Sequence, residues 1–231
     1  MDTKIISIIL VIFQILVILV MYEIPFKDYN FNLINKNDFI NLFNQKRFTT
    51  LTSITNIFIL CYLILFTIVS FNINIKNIFT MLYPFIFALS LFMMTSFYLL
   101  EYPYMDNIFN KKKRTKNIII SEIHNCIIHL ISPLFILLLL IYFKSNSLKY
   151  SNNLYIYIIG LFFYILFCYK LCSSLKYSGS FFYNSIDNMY KKYSNLKFNF
   201  IFCLYFLYYM FLIFIGTKVI NWKFIYLNNN F

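Results

Sequence analysis

The sequence predicts an all-α polytopic membrane protein in which residues 1–231 form one domain, a single bundle of six transmembrane helices. Three observations predict it. Of the 231 residues, 61% are hydrophobic and only 12% charged, about half the ~25% charged share of a soluble domain. The apolar residues stand in long unbroken runs, not in the periodic stripes of a surface helix. Gly (3) and Pro (4) are scarce, which leaves few tight turns or sheet corners. A β-barrel would show alternating segments of ~10 residues, and these runs are longer and do not alternate. Helices satisfy every backbone group internally, as lipid requires.

The first span, 5–22, holds Gln14 as its one strongly polar member. It is too long for a signal-peptide core and no small-residue cleavage site follows, so it reads as a retained helix. A polar connection ends in Gln45-Lys46-Arg47. The second span opens on a polar cluster (Thr49, Thr50, Thr52, Ser53, Thr55, Asn56) ahead of an apolar run to Phe71, and its expected extent is 45–71. The third, 78–100, contains Pro84, and the link after it carries Lys111-Lys112-Lys113-Arg114. The fourth, fifth and sixth are 118–143, 154–171 and 198–219. At ~1.5 Å rise per residue, each is expected to reach across a hydrocarbon core of ~30 Å. The link 172–197, with Gly179 and Asp187, is expected to fold back into the interface. On six spans, the odd-numbered loops carry 13 basic residues against 6 in the even loops and termini, which places the odd loops in the cytoplasm.

The formal charge of +12 does not point to nucleic acid. The basic residues sit in short links between apolar runs, where they meet anionic headgroups, and no basic face interleaved with aromatics is present. Of the five cysteines, Cys61, Cys126, Cys168 and Cys203 lie inside apolar runs and read as small hydrophobes. Cys168 and Cys172 share a helical face, but packing is the plainer reading. No G-x-S-x-G elbow, H-E-x-x-H, phosphate-cradling glycine loop or zinc spacing occurs, so neither cofactor nor metal is expected.

The chemistry concentrates in the fourth span. At 100° per residue, Glu122, Asn125, His129 and Ser132 fall on one face. His124 points elsewhere, ~140° from His129, so the two histidines do not form a metal pair. His129 stands roughly 16 Å into its run, where an ionisable group marks a functional position by default. A neutral imidazole costs less to bury than a charge and suits proton transfer. The plainer reading is a hydrogen bond to a neighbouring helix, and Glu122 is expected to snorkel towards the headgroups. The second span supplies hydroxyls, and a threonine becomes a nucleophile when a base, usually histidine, removes its proton.

Four segments resemble a known family. Phe43-Asn44-Gln45-Lys46-Arg47-Phe48-Thr49-Thr50-Leu51-Thr52 resembles the stretch before the second helix of the androgen-induced protein and androgen-dependent TFPI-regulating protein family of multi-pass membrane threonine hydrolases. Phe97-Tyr98 followed by Asp106 resembles that family's aromatic pair and acidic residue. His129-Leu130-Ile131-Ser132-Pro133 resembles its His-Leu stretch with a proline shortly after. Gly179-Ser180-Phe181-Phe182-Tyr183-Asn184-Ser185-Ile186-Asp187 resembles its Gly, aromatic, Tyr-Pro, aliphatic, acidic signature. The four occur in family order across nearly the whole chain. Asn184 departs from the pattern, standing where the family has Pro.

The resemblance implies hydrolysis of fatty-acid esters of hydroxy fatty acids within the membrane. Thr52 would be the nucleophile and His129 the base, with Asn125, Ser132, Glu122, Gly179 and Tyr183 binding substrate or supporting the site, and no cofactor. The expected partners are membrane lipid and the lipid ester; the expected address is an endomembrane, the endoplasmic reticulum first and the plasma membrane second. For Thr52 to meet His129, the second helix is expected to start near Phe43, sinking Thr52 by about 13 Å; a start at Leu51 would leave Thr52 at the headgroups. Two other classes compete: a small transporter or channel lined by these polar faces, and a non-catalytic scaffold whose polar residues join helices. A hydrolase requires Thr52 and His129 on one lipid-sized, closed-ended pocket; a transporter requires a continuous polar path.

Overall fold

The computed structural model describes residues 3–23, 51–71, 76–101, 123, 126–142, 154–178 and 184–222. Seven α-helices fall within them: α1 (Thr3–Glu23), α2 (Leu51–Phe71), α3 (Lys76–Ser96), α4 (Ser132–Tyr142), α5 (Leu154–Ser178), α6 (Asn184–Lys192) and α7 (Asn195–Trp222). A π-turn, Phe97–Glu101, continues α3, and a second, Ile127–Ile131, leads into α4.

The expectation of six transmembrane helices is corrected. Among the described residues three helices are long and apolar enough to cross a membrane: Leu51–Phe71, Ile78–Leu99 and Asn195–Trp222. The other apolar stretches, Thr3–Leu19, Ile127–Leu139 and Leu154–Tyr169, are 10–17 residues long. In the fourth run, Ile123 and Cys126 are helical, a π-turn occupies Ile127–Ile131 and α-helix resumes at Ser132. The assignment of loops to sides, which assumed six spans, falls with that count. The link 172–197 is largely helical: α5 runs on to Ser178, and α6 follows as a short amphipathic helix.

Ring contacts and hydrogen bonds fix the packing. Lys4 Nζ lies 5.0 Å from the Phe71 ring centroid while Gln14 meets Asn56, so α1 and α2 run antiparallel. Tyr62 stacks on Phe79 at 4.6 Å and donates to the Phe79 carbonyl at 2.9 Å, closing the hairpin of α2 and α3. Helices α3 and α7 are antiparallel as well, with Tyr208 OH donating to Thr95 Oγ1 at 3.2 Å near one end. Near the other end Gly216 lies against Pro84: a Cβ there would stand 3.0 Å from Pro84 Cα. Small residues permit such close approach between membrane helices.

Side chains sort as lipid demands. Ser7, Gln14, Thr55, Asn56, Ser90, His129, Ser132 and Thr217 are buried. The outward faces of α1, α5 and α7 carry Ile5, Ile12, Phe13, Phe162, Ile165, Phe200, Leu207 and Phe211, all exposed. Water would penalise an apolar outer surface on this scale, and hydrocarbon does not. Multi-pass membrane character follows.

Candidate active site

Five of the helices and both π-turns contribute to the wall of one cavity. Its wall is formed by Leu51 and Thr52 from the start of α2, Phe92, Met93 and Ser96 from the end of α3, and Phe97 and His129 from the two π-turns. Tyr164 and Phe167 of α5, Ile186 and Met189 of α6, and Ile201, Phe202 and Tyr205 of α7 complete it. Both π-turns thus contribute a ring to the cavity, in keeping with the frequency of such turns at functional sites.

Thr52 is partly buried and His129 is 6% exposed. The imidazole lies flat on the Phe97 ring, with centroids 3.7 Å apart and planes 7° from parallel. Thr52 and His129 both line the cavity; α2 is described from Leu51, and residues 43–50, where the second helix was expected to start, lie outside the described residues. The third residue of the π-turn carries His129 close to the described start of its element, on the same end of the bundle as the first turn of α2.

One helical turn along from this pair, three buried polar side chains from three helices bond to one another. Gln14 Nε2 donates to Asn56 Oδ1 at 3.0 Å and to the Asn56 carbonyl at 3.1 Å. The Ser132 hydroxyl is shared between Asn56 Oδ1 at 2.6 Å and Gln14 Oε1 at 3.1 Å. Asn56 Nδ2 donates to the Thr52 carbonyl at 2.9 Å and lies 3.7 Å from Met93 Sδ. The cluster ties α1, α2 and α4 together beside the cavity. Ser132 serves here as a helix-to-helix bond and does not line the cavity. Glu122, Asn125, Gly179 and Tyr183, expected to support the site, lie outside the described residues, as does Asp106.

The cavity measures about 60 Å³. At ~10–15 Å³ per water on that measure it holds a few waters or a short length of acyl chain, not a whole two-chain ester. Ile186 and Met189 place α6 on its wall, and Ile186 packs with Phe198, Phe167 and Phe202. Among the described residues no group of three or more His, Cys, Asp or Glu side chains stands together to hold a metal. Cys168 is half-buried and Cys172 exposed, both as free thiols.

Sequence reasoning did not single out Ser96, Tyr164, Tyr205 or Met189, whereas Ile186 lies within the quoted Gly179–Asp187 signature. Nothing in composition marks these four, and apolar runs do not say which of their faces converge. No protein-family model, curated protein or solved structure matches the chain.

Proposed function

We propose that this protein is an intramembrane hydrolase of lipid esters, of the fatty-acid ester of hydroxy fatty acid class, in an endomembrane such as the endoplasmic reticulum. The observation that carries this reading is that Thr52 and His129, far apart in the sequence, line one largely apolar cavity. Support from the sequence is the ordered resemblance of four segments to the membrane threonine hydrolases. In the mechanism, Thr52 Oγ attacks the ester carbonyl while His129 takes its proton and returns it to the leaving hydroxyl. The acyl-threonine is then cleared by water, with the same imidazole as base. Phe97 holds the imidazole plane, and the apolar wall takes the acyl chain.

The Gln14–Asn56–Ser132 cluster favours a second reading, a scaffold whose polar residues only join helices. That reading leaves unexplained a cavity with a hydroxyl and an imidazole on its wall. The test is hydrolysis of a palmitic acid ester of hydroxystearic acid by membranes holding equal amounts of wild type, Thr52→Ala or His129→Ala. The expected result is activity in the wild type and its loss, by ~10³-fold or more as for other nucleophile–base pairs, in either variant. Activity equal in all three sinks the mechanism, and its absence from the wild type favours the scaffold.

A further inference from the structure

Hydroxyls inside membrane helices normally donate to a carbonyl three or four residues back, and this chain follows the rule at most positions. Ser7 donates to the Lys4 carbonyl at 2.7 Å, Thr67 to Leu63 at 3.0 Å and Ser70 to Phe66 at 2.9 Å. Ser90 donates to Phe87 at 2.9 Å, Thr95 to Leu91 at 2.8 Å and Thr217 to Ile213 at 2.9 Å. Ser96, the neighbour of Thr95, does not: its Oγ is buried and meets no hydrogen-bond partner. Leaving such a group unmet costs on the order of 1–3 kcal/mol. Among the described hydroxyls, Thr55 Oγ1 and Tyr209 OH share the condition, but of these three residues Ser96 is the one that lines the cavity with Thr52 and His129. Ser96 is the last residue of α3 before the π-turn that carries Phe97.

Three other polar side chains at or beside the cavity are engaged. Asn56 Nδ2 donates to the Thr52 carbonyl, Ser132 to Asn56 and Gln14, and Tyr164 OH to the Phe202 carbonyl at 2.9 Å. We infer that the Ser96 hydroxyl is the donor that meets the ester carbonyl oxygen of the substrate and the oxyanion it becomes, an inference that rests on the hydrolase reading of the site. As Thr52 Oγ bonds to the carbonyl carbon, its proton passes to His129 and the carbonyl π pair moves onto oxygen, where Ser96 O–H donates to it. Collapse restores the carbonyl and breaks the bond to the alkoxy oxygen, which takes the proton from His129 and leaves as the hydroxy fatty acid. Water repeats the sequence on the acyl-threonine. A donor fixed in a site shielded from water acts most strongly on the charge that develops in the transition state.

The experiment compares wild type, Ser96→Ala and Thr52→Ala in hydrolysis of the palmitic acid ester of hydroxystearic acid, with thermal melting of each full-length protein in detergent. For Ser96→Ala the expected result is a kcat lower by about 10²–10³-fold, a nearly unchanged KM, and a melting temperature equal to or above wild type, because the unmet hydroxyl is gone. Wild-type kcat in Ser96→Ala with Thr52→Ala inactive overturns the role of Ser96 alone. A lost kcat accompanied by a clear fall in melting temperature makes Ser96 structural and also overturns it. An inactive wild type, or an active Thr52→Ala, overturns the hydrolase reading and Ser96's role with it.

Discussion

Phe97 lies face to face with His129, ring centroids 3.7 Å apart. A ring that close to parallel leaves the imidazole free to slide but not to tilt, which is what a base that must first accept and then return a proton needs. Aromatic pairs contribute ~0.5–1.5 kcal/mol beyond the area they bury. Phe97→Leu keeps the apolar volume and removes the flat wall, so kcat on the lipid ester is expected to fall by up to about tenfold with the fold intact; steady-state kinetics beside the His129→Ala variant checks it. An unchanged kcat would mean that the stack only packs. His129 was legible from sequence because an imidazole inside an apolar run is uncommon and costly. Ser96 was not, because a serine in such a run ordinarily bonds its own helix, and only the cavity shows that this one does not. Gln14 and Asn56 were each visible as polar intrusions, but their bond spans two helices, and a sequence carries no inter-helix register.

At the scale of elements, two glycines separate tight packing that can relax from tight packing that cannot. A Cβ at Gly160 of α5 would meet the tip of the Ile213 side chain, which can rotate away. One at Gly216 of α7 would lie 2.9 Å from Phe87 Cδ1, 3.0 Å from Pro84 Cα and 3.1 Å from the Pro84 carbonyl oxygen, and that backbone belongs to the interior of α3. Gly216→Ala is expected to cost about 1–3 kcal/mol through overpacking, and Gly160→Ala clearly less, as measured by thermal melting in detergent. Equal losses in the two would show that α3 and α7 yield as readily as a side chain does. Apolar runs placed these helices well: α7 covers the expected sixth span with about three residues more at each end, and α3 starts within two residues of the third. What the runs did not show was where regular α-helix gives way. Hydropathy is blind to a shift from α to π bonding, so neither the turn at Phe97–Glu101 nor that at Ile127–Ile131 left a mark in composition, although both carry site residues.

Over the whole molecule, the bilayer decides which surface is outside. Membrane character was legible from composition, since a chain with this few charges and this many apolar residues has no aqueous solution that hides its surface. The number of crossings was less legible: of the six expected spans, three among the described residues meet the length and apolarity of a crossing. Cysteines offer a direct probe of the outer surface. Cys61 stands midway along α2 and Cys203 in the first half of α7, both exposed on the bundle and both on helices long enough to cross. If those faces meet hydrocarbon, a charged maleimide cannot reach either thiol, although both are exposed among the described residues. In intact membranes the reagent is expected to leave Cys61 and Cys203 unmodified, and after SDS treatment to modify both, read by mass spectrometry of the peptides. Protection by protein packing would not account for this result, because the two side chains are exposed in the fold; lipid would. Labelling of both in untreated membranes would put these faces in water, and the exposed Phe200, Leu207 and Phe211 of α7 would then need a protein partner instead of a bilayer to cover them.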